Sequence, residues 1–257
     1  LGQQTSDFVT AQSLEVGDSK ASATATIDIG KDATATTTIF AETLTIAAVA
    51  TAMGYSQPMG FSLAVAYASS TADAEVHVGN ARITTTSDCS LTARADSTTL
   101  VTAFATNEDV PAGQPLKKAT GRDTSSTPFA VGIAIGNLSA TSSVSTLPST
   151  VLQVGGNLIV LADTVGRSST VARGQADAGG RFVFGIAYSE ETGKATAAIE
   201  GTIAVGGSVD ITAQHHRKPI ETSELFGIIP RSFDGTIASA DLGTTTTRNT
   251  LNDFGAA

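Results

Sequence analysis

The chain has no tryptophan and a single cysteine, and only 5 % of its 257 residues are aromatic and 15 % charged. Each shortage removes a class of explanation. One thiol, Cys89, cannot close an intramolecular disulfide, so no disulfide framework holds the fold. With few charges and no Trp, a groove that cleaves polysaccharide is poorly supplied with acids and sugar platforms. A net charge of −9 opposes binding to nucleic acid or to anionic membranes, whose phosphates need a Lys/Arg surface. No apolar run approaches the roughly 18 residues of a membrane-spanning helix. The best stretch, Leu44 to Met53, is short and broken by Thr. No signal-peptide pattern stands at Leu1, as expected of a processed mature form or a fragment.

Catalytic motifs are missing too. The chain contains no Gly-x-Ser-x-Gly elbow, P-loop or Gly-x-Gly-x-x-Gly. Its histidines are His77, His215 and His216. His77 lies in the alternating run Glu75-Val76-His77-Val78 and reads as a solvated, outward side chain. Adjacent residues on a strand face opposite sides, so His215 and His216 cannot share a metal there, and no further Cys or His completes a zinc site. The expectation is therefore a protein that is not an enzyme and carries no cofactor. Calcium is possible but has no motif behind it, because the Gly-Gly-x-Gly-x-Asp roll is missing. Its candidate ligands are the loop carboxylates Glu108, Asp109 and Asp123 and the pair Glu190-Glu191, read as a solvated turn. Thr24/Thr26 and Thr34/Thr36 suggest an ice-binding array, but Asp73, Glu75 and Ser142 break the register in later copies. Asn137-Leu138-Ser139 matches a glycosylation acceptor by chance, in a strand-like setting.

What fills the chain instead is Ala, Thr, Ser and Gly, arranged in repeats. Ala64-Val65-Ala66-Tyr67 returns as Gly132-Ile133-Ala134-Ile135 and as Gly185-Ile186-Ala187-Tyr188. A second phrase, apolar-x-apolar-x-Ala, begins at Leu44, Cys89, Leu158 and Val209. Its closing alanines, Ala48, Ala93, Ala162 and Ala213, stand 45, 69 and 51 residues apart. The unit is thus about 45–50 residues, within the range of solenoid repeats, with one insertion. That insertion is a Pro- and Gly-punctuated loop, 105–128, of the kind that projects from one face of a repeat array. Alternation such as Ala21, Ala23, Ala25, Ile27, Ile29 points one row inward and a row of Ser, Thr or Asp outward. Gly155-Gly156 and Gly206-Gly207 read as tight turns into the second phrase. Each unit would supply about three or four short strands. The fold class expected is all-β, an elongated parallel β-solenoid (β-helix). An antiparallel β-sandwich is the alternative, but it gives no reason for phrases to recur. Stacking would put Val65, Ile133 and Ile186 in one ladder and Leu44, Cys89, Leu158 and Val209 in another, with Cys89 a buried, inert thiol.

The strings Gly132 to Val144 and Val154-Gly155-Gly156-Asn157-Leu158-Ile159-Val160-Leu161-Ala162 resemble the repeats of large bacterial filamentous-haemagglutinin-like, β-helical surface adhesins. The resemblance spans roughly residues 15 to 213. It implies an extracellular or bacterial cell-surface location and an adhesive or scaffolding role. Residues 1–213 are then the β-repeat body, and 214–257 an atypical tail that caps the array or docks to a neighbour. Leu225, Phe226, Ile228 and Ile229 are the candidate docking residues of that tail. Lys117, Lys118, Arg122 and Asp123 are the candidate contacts of the presented loop. The partners expected are further copies joined head to tail, neighbouring repeats of a larger chain, or a cell-surface glycan or protein, without nucleic acid or membrane insertion. A self-assembling filament subunit is the second functional reading.

Overall fold

The computed structural model describes residues 14–30, 33–60, 63–107, 129–176, 182–221, 232–233 and 235–242. Regular structure among them is entirely β-strand. The first coil is β1 (Leu14–Ile29), β2 (Thr37–Ala41), β3 (Leu44–Ser56) and the short β4 (Met59–Gly60). The second is β5 (Leu63–Val78), β6 (Ala81–Thr85) and β7 (Cys89–Asn107). The third is β8 (Phe129–Thr146), β9 (Val151–Val154) and β10 (Leu158–Ala176). The fourth is β11 (Phe182–Ala198), β12 (Thr202–Val205) and β13 (Val209–Arg217), followed by β14 (Ile220–Glu221), β15 (Ser232–Phe233) and β16 (Gly235–Leu242).

Equivalent strands of successive coils pair side by side. The orders are β1-β5-β8-β11, β2-β6-β9-β12 and β3-β7-β10-β13, and every pair in them is parallel. This is a parallel β-solenoid. A sandwich would join its strands by hairpins, which are antiparallel. The one antiparallel pair among the described residues is β14 with β15. The fourth coil runs past residue 213: β13 continues to Arg217, and β16 pairs with the second half of β10.

Register follows the phrases. Leu44 pairs with Cys89, Cys89 with Leu158, and Leu158 with Val209. The closing alanines Ala48, Ala93, Ala162 and Ala213 form a row in the same way. Strand number agrees with the sequence expectation, with four, three and three strands in the first three coils, but strand length does not. The first phrase and the Ala-rich segment after it are one strand, 16 residues long in β5, 18 in β8 and 17 in β11. Polar residues in mid-strand, such as Ser69-Ser70-Thr71, are accommodated because parallel neighbours satisfy the backbone through them. Each coil therefore has two long strands and one short one.

The two long sheets lie face to face, and alanine lines the gap between them. Ala64, Ala66, Ala68, Ala103, Ala105, Ala130, Ala134 and Ala172 are all fully buried. The larger neighbours Val65, Ile133 and Ile186 stack in register but on the outer face, with Ile186 48 % exposed. The cause is the closeness of the sheets. A Cβ added to Gly132 would stand 2.5 Å from the Arg173 carbonyl, and one on Gly174 would stand 2.5 Å from the Ala130 carbonyl. At those points backbone packs on backbone, and only glycine fits.

Larger aliphatics gather in the interior near the short sheet, where Ile83, Leu91, Leu152, Leu158, Val76, Val78 and Val160 are fully buried, while Val101 is the larger side chain buried among the alanines. Each such side chain contributes about 1.5–3 kcal/mol of burial free energy. A band of hydroxyls separates this cluster from the alanine-rich one. Within it, Ser70 Oγ lies 2.7 Å from both Ser97 Oγ and Thr99 Oγ1, and Thr99 Oγ1 donates to the Asn137 carbonyl at 3.0 Å. Buried hydroxyls must find such partners or destabilise the core.

The corners are also stacked. Asp88 Oδ1 accepts the Asn157 backbone N–H at 2.7 Å, and Asn157 Oδ1 accepts that of Ser208 at 2.9 Å. Thr150 Oγ1 reaches the carbonyls of Val78 and Gly79 at 2.9 and 2.7 Å. Gly30, with φ of 65°, turns the chain after β1, where a Cβ would also stand 2.6 Å from the Asn80 carbonyl.

Candidate functional site

The residues singled out for docking and presentation do not come under view. Leu225, Phe226, Ile228 and Ile229 lie outside the described residues, between β14 and β15. Lys117, Lys118, Arg122 and Asp123 lie outside them too, in the connection from β7 to β8. The same holds for Glu108 and Asp109.

Cys89 is fully buried, and burial pushes its thiol pKa up, as an inert side chain requires. His77 lies on the outer face, with Nδ1 2.5 Å from Ser145 Oγ and Nε2 3.3 Å from Glu75 Oε2. Nearby Asp73 has its pKa raised, first by burial and then by the Glu75 charge. The pair Glu190-Glu191, read above as a turn, lies in the middle of β11. A strand sends consecutive side chains to opposite faces, so the two carboxylates cannot chelate one ion. Among the described residues, no group of three or more His, Cys, Asp or Glu could hold a metal ion.

Glu191 enters the gap between the sheets. Its carboxylate stands 3.2 Å from Arg217 Nε and 3.6 Å from His215 Nε2. His215 Nδ1 lies 2.9 Å from Thr164 Oγ1. Gly166 and Gly193 make the room, since a Cβ on the first would collide with Glu191 and one on the second with the His215 ring. On the opposite face of β13, His216 Nε2 stands 3.7 Å from Asp163 Oδ1, with Arg94 Nε 3.8 Å from Asp163 Oδ2. Alternation along β13 thus sends His215 in and His216 out. The interior cluster was not foreseen, because mid-strand Glu-Glu-Thr-Gly carries the composition of a turn. The sequence signal that marks it is the inward parity shared by Glu191, His215 and Arg217 with the alanines before them.

The ends of the array are the other unusual feature. Inward rows continue into the last coil but lose their cover there. Ile203, Val209 and Ile211 are 37, 52 and 50 % exposed, while their neighbours Leu152, Leu158 and Val160 are fully buried. Among the described strands, β11, β12 and β13 pair on one edge only, as do β1, β2 and β3 at the other end. Such edges present unpaired N–H and C=O groups to any strand that can add.

No family model, curated protein or solved structure matches this chain. Its function must be argued from the residues themselves.

Proposed function

We propose that this chain is an extracellular structural and adhesive repeat protein, a stiff β rod that holds loops out for surface attachment. The observation that supports this reading is the strict in-register stacking of four coils through three parallel sheets. Ladders of backbone hydrogen bonds, alanine rows and stacked corners make bending costly, and they leave connections such as that between β7 and β8 as natural contact points. The resemblance to filamentous-haemagglutinin-like adhesins agrees with it. The experiment is deletion of residues 108–128 with a short Gly-Ser bridge, followed by binding of the purified protein to cells and to a glycan panel. The expected result is an unchanged β circular-dichroism spectrum with attachment lost. Equal attachment by the deletion variant would overturn the presenting-loop reading.

The uncovered Ile203, Val209 and Ile211 favour a second reading, a filament subunit that joins end to end. It needs no change in the body, only a partner for the open edges.

A further inference from the structure

We propose that the occupant of the open end is a second copy of this chain, whose β1, β2 and β3 stack on β11, β12 and β13 in the register already used between coils. The inference deepens the end-to-end reading and rests on it. It comes from carrying each ladder one step further. The row Leu14, Leu63, Val131, Phe184 would continue with Leu14 of the next copy, and the row Val16, Val65, Ile133, Ile186 with its Val16. Inside, Ala195 and Ala197 meet Ala25 and Ile27, while Val209 and Ile211 meet Leu44 and Ile46. Apolar residues face apolar ones, and the half-exposed aliphatics of the last coil gain the cover that their neighbours have.

Charge selects this arrangement. The outer row Lys20, Ser69, Asn137, Glu190 begins with a cation and ends with an anion. Stacking in register sets Glu190 beside Lys20 of the next copy. Lys20 already lies over the Tyr67 ring, 5.7 Å from its centroid, and the junction adds Tyr188 on its other side. The size also suffices. Strands of 17, 4 and 9 residues line the last coil, comparable to the roughly 20–30 residues a side of a stable interface.

The register gives a direct test. Adjacent parallel strands lie about 4.8 Å apart, within the Cα separation a disulfide spans. The outer positions Ser22 and Thr192 end one row. The variants Ser22→Cys and Thr192→Cys, both at exposed sites, are mixed under mild oxidation and resolved by non-reducing electrophoresis. The mixture should form a cross-linked dimer, and neither variant alone should. Reversing one charge, Glu190→Lys, should slow cross-linking roughly fivefold, as loss of an exposed ion pair implies, and adding Lys20→Glu to the other partner should restore it. Dimers from Thr192→Cys alone would mean back-to-back pairing and overturn the proposal. So would an absence of mixed dimer at concentrations where light scattering detects association, or an absence of association altogether. Failure here leaves the attachment assay of the deletion variant unaffected, so the two readings fall separately.

Discussion

Residues 133 and 134 are neighbours that should respond in opposite ways. Ala134 is fully buried between the long sheets, in register with Ala66 and Ala187. The inward positions on either side of it are Gly132 and Gly136. A Cβ on either would stand 2.5 Å from the facing strand, at the Arg173 carbonyl or at Thr170 Oγ1. A methyl fits at 134 and little more does. Ala134→Leu adds three carbons to that space, so the cost should reach the upper end of the overpacking range, about 3 kcal/mol. Ile133 is half-buried on the outer face, where Thr keeps both the strand propensity and part of the apolar contact. Ile133→Thr should cost about 1 kcal/mol or less. Urea unfolding followed by far-ultraviolet circular dichroism measures both. With a slope near 2–3 kcal/mol per molar, the leucine variant should lose about 1 M in its midpoint and the threonine variant about a third of that. If Ile133→Thr proves the more damaging of the two, the alanine-lined interior is refuted.

Three further outcomes follow from single residues. Cys89, buried with its thiol pKa raised, should react with a thiol reagent only as fast as the protein unfolds, so labelling in native buffer should be slow and become complete in denaturant. Thr150→Val keeps the shape but removes the hydroxyl that bonds Val78 and Gly79; both carbonyls keep a backbone donor, from Leu147 and Ala81, so the lost bond should cost about 1 kcal/mol in the same urea assay. Asp73 has its pKa raised above 3.8 in the folded state, so its charged form opposes folding. That penalty is absent below the ordinary carboxyl value and sets in as pH rises through the raised one. Asp73→Asn should therefore stabilise the protein at pH 7, by at most about half a kcal/mol at a site this close to solvent, and should leave thermal melting near pH 3 unchanged.

The repeat register was written plainly in the chain. Aligning the closing alanines of the second phrase gives the observed row Ala48, Ala93, Ala162, Ala213, and Cys89 takes the place of an aliphatic in its row. That worked because a solenoid repeats the same environment, so the same residue type recurs. The short sheet was missed. Its inward row Ile39, Ile83, Leu152, Ile203 sits in strands of four or five residues mixed with Thr, Arg and Gln, too brief to show a period. The length of the first strand was missed for another reason: Ser, Thr and Gly in mid-strand imitate a turn in composition, while parallel neighbours hold them extended. Glu191 was misread through the same imitation. The rows could predict which residues stack, but not which face they occupy, since Val65 and Ala66 alternate equally well in either sense.

Parallel, in-register coils are the foundation of the fold, and paired cysteines test them most directly. Thr71 and Ser139 are neighbours on the outer face, whereas Ser143 lies four residues further along, about 13 Å at the rise of a strand. Thr71→Cys with Ser139→Cys should close a disulfide in the folded monomer, and Thr71→Cys with Ser143→Cys should not, because that span exceeds what the bond can bridge. Closure of the offset pair, or of neither, would contradict the fold on which every functional argument above depends.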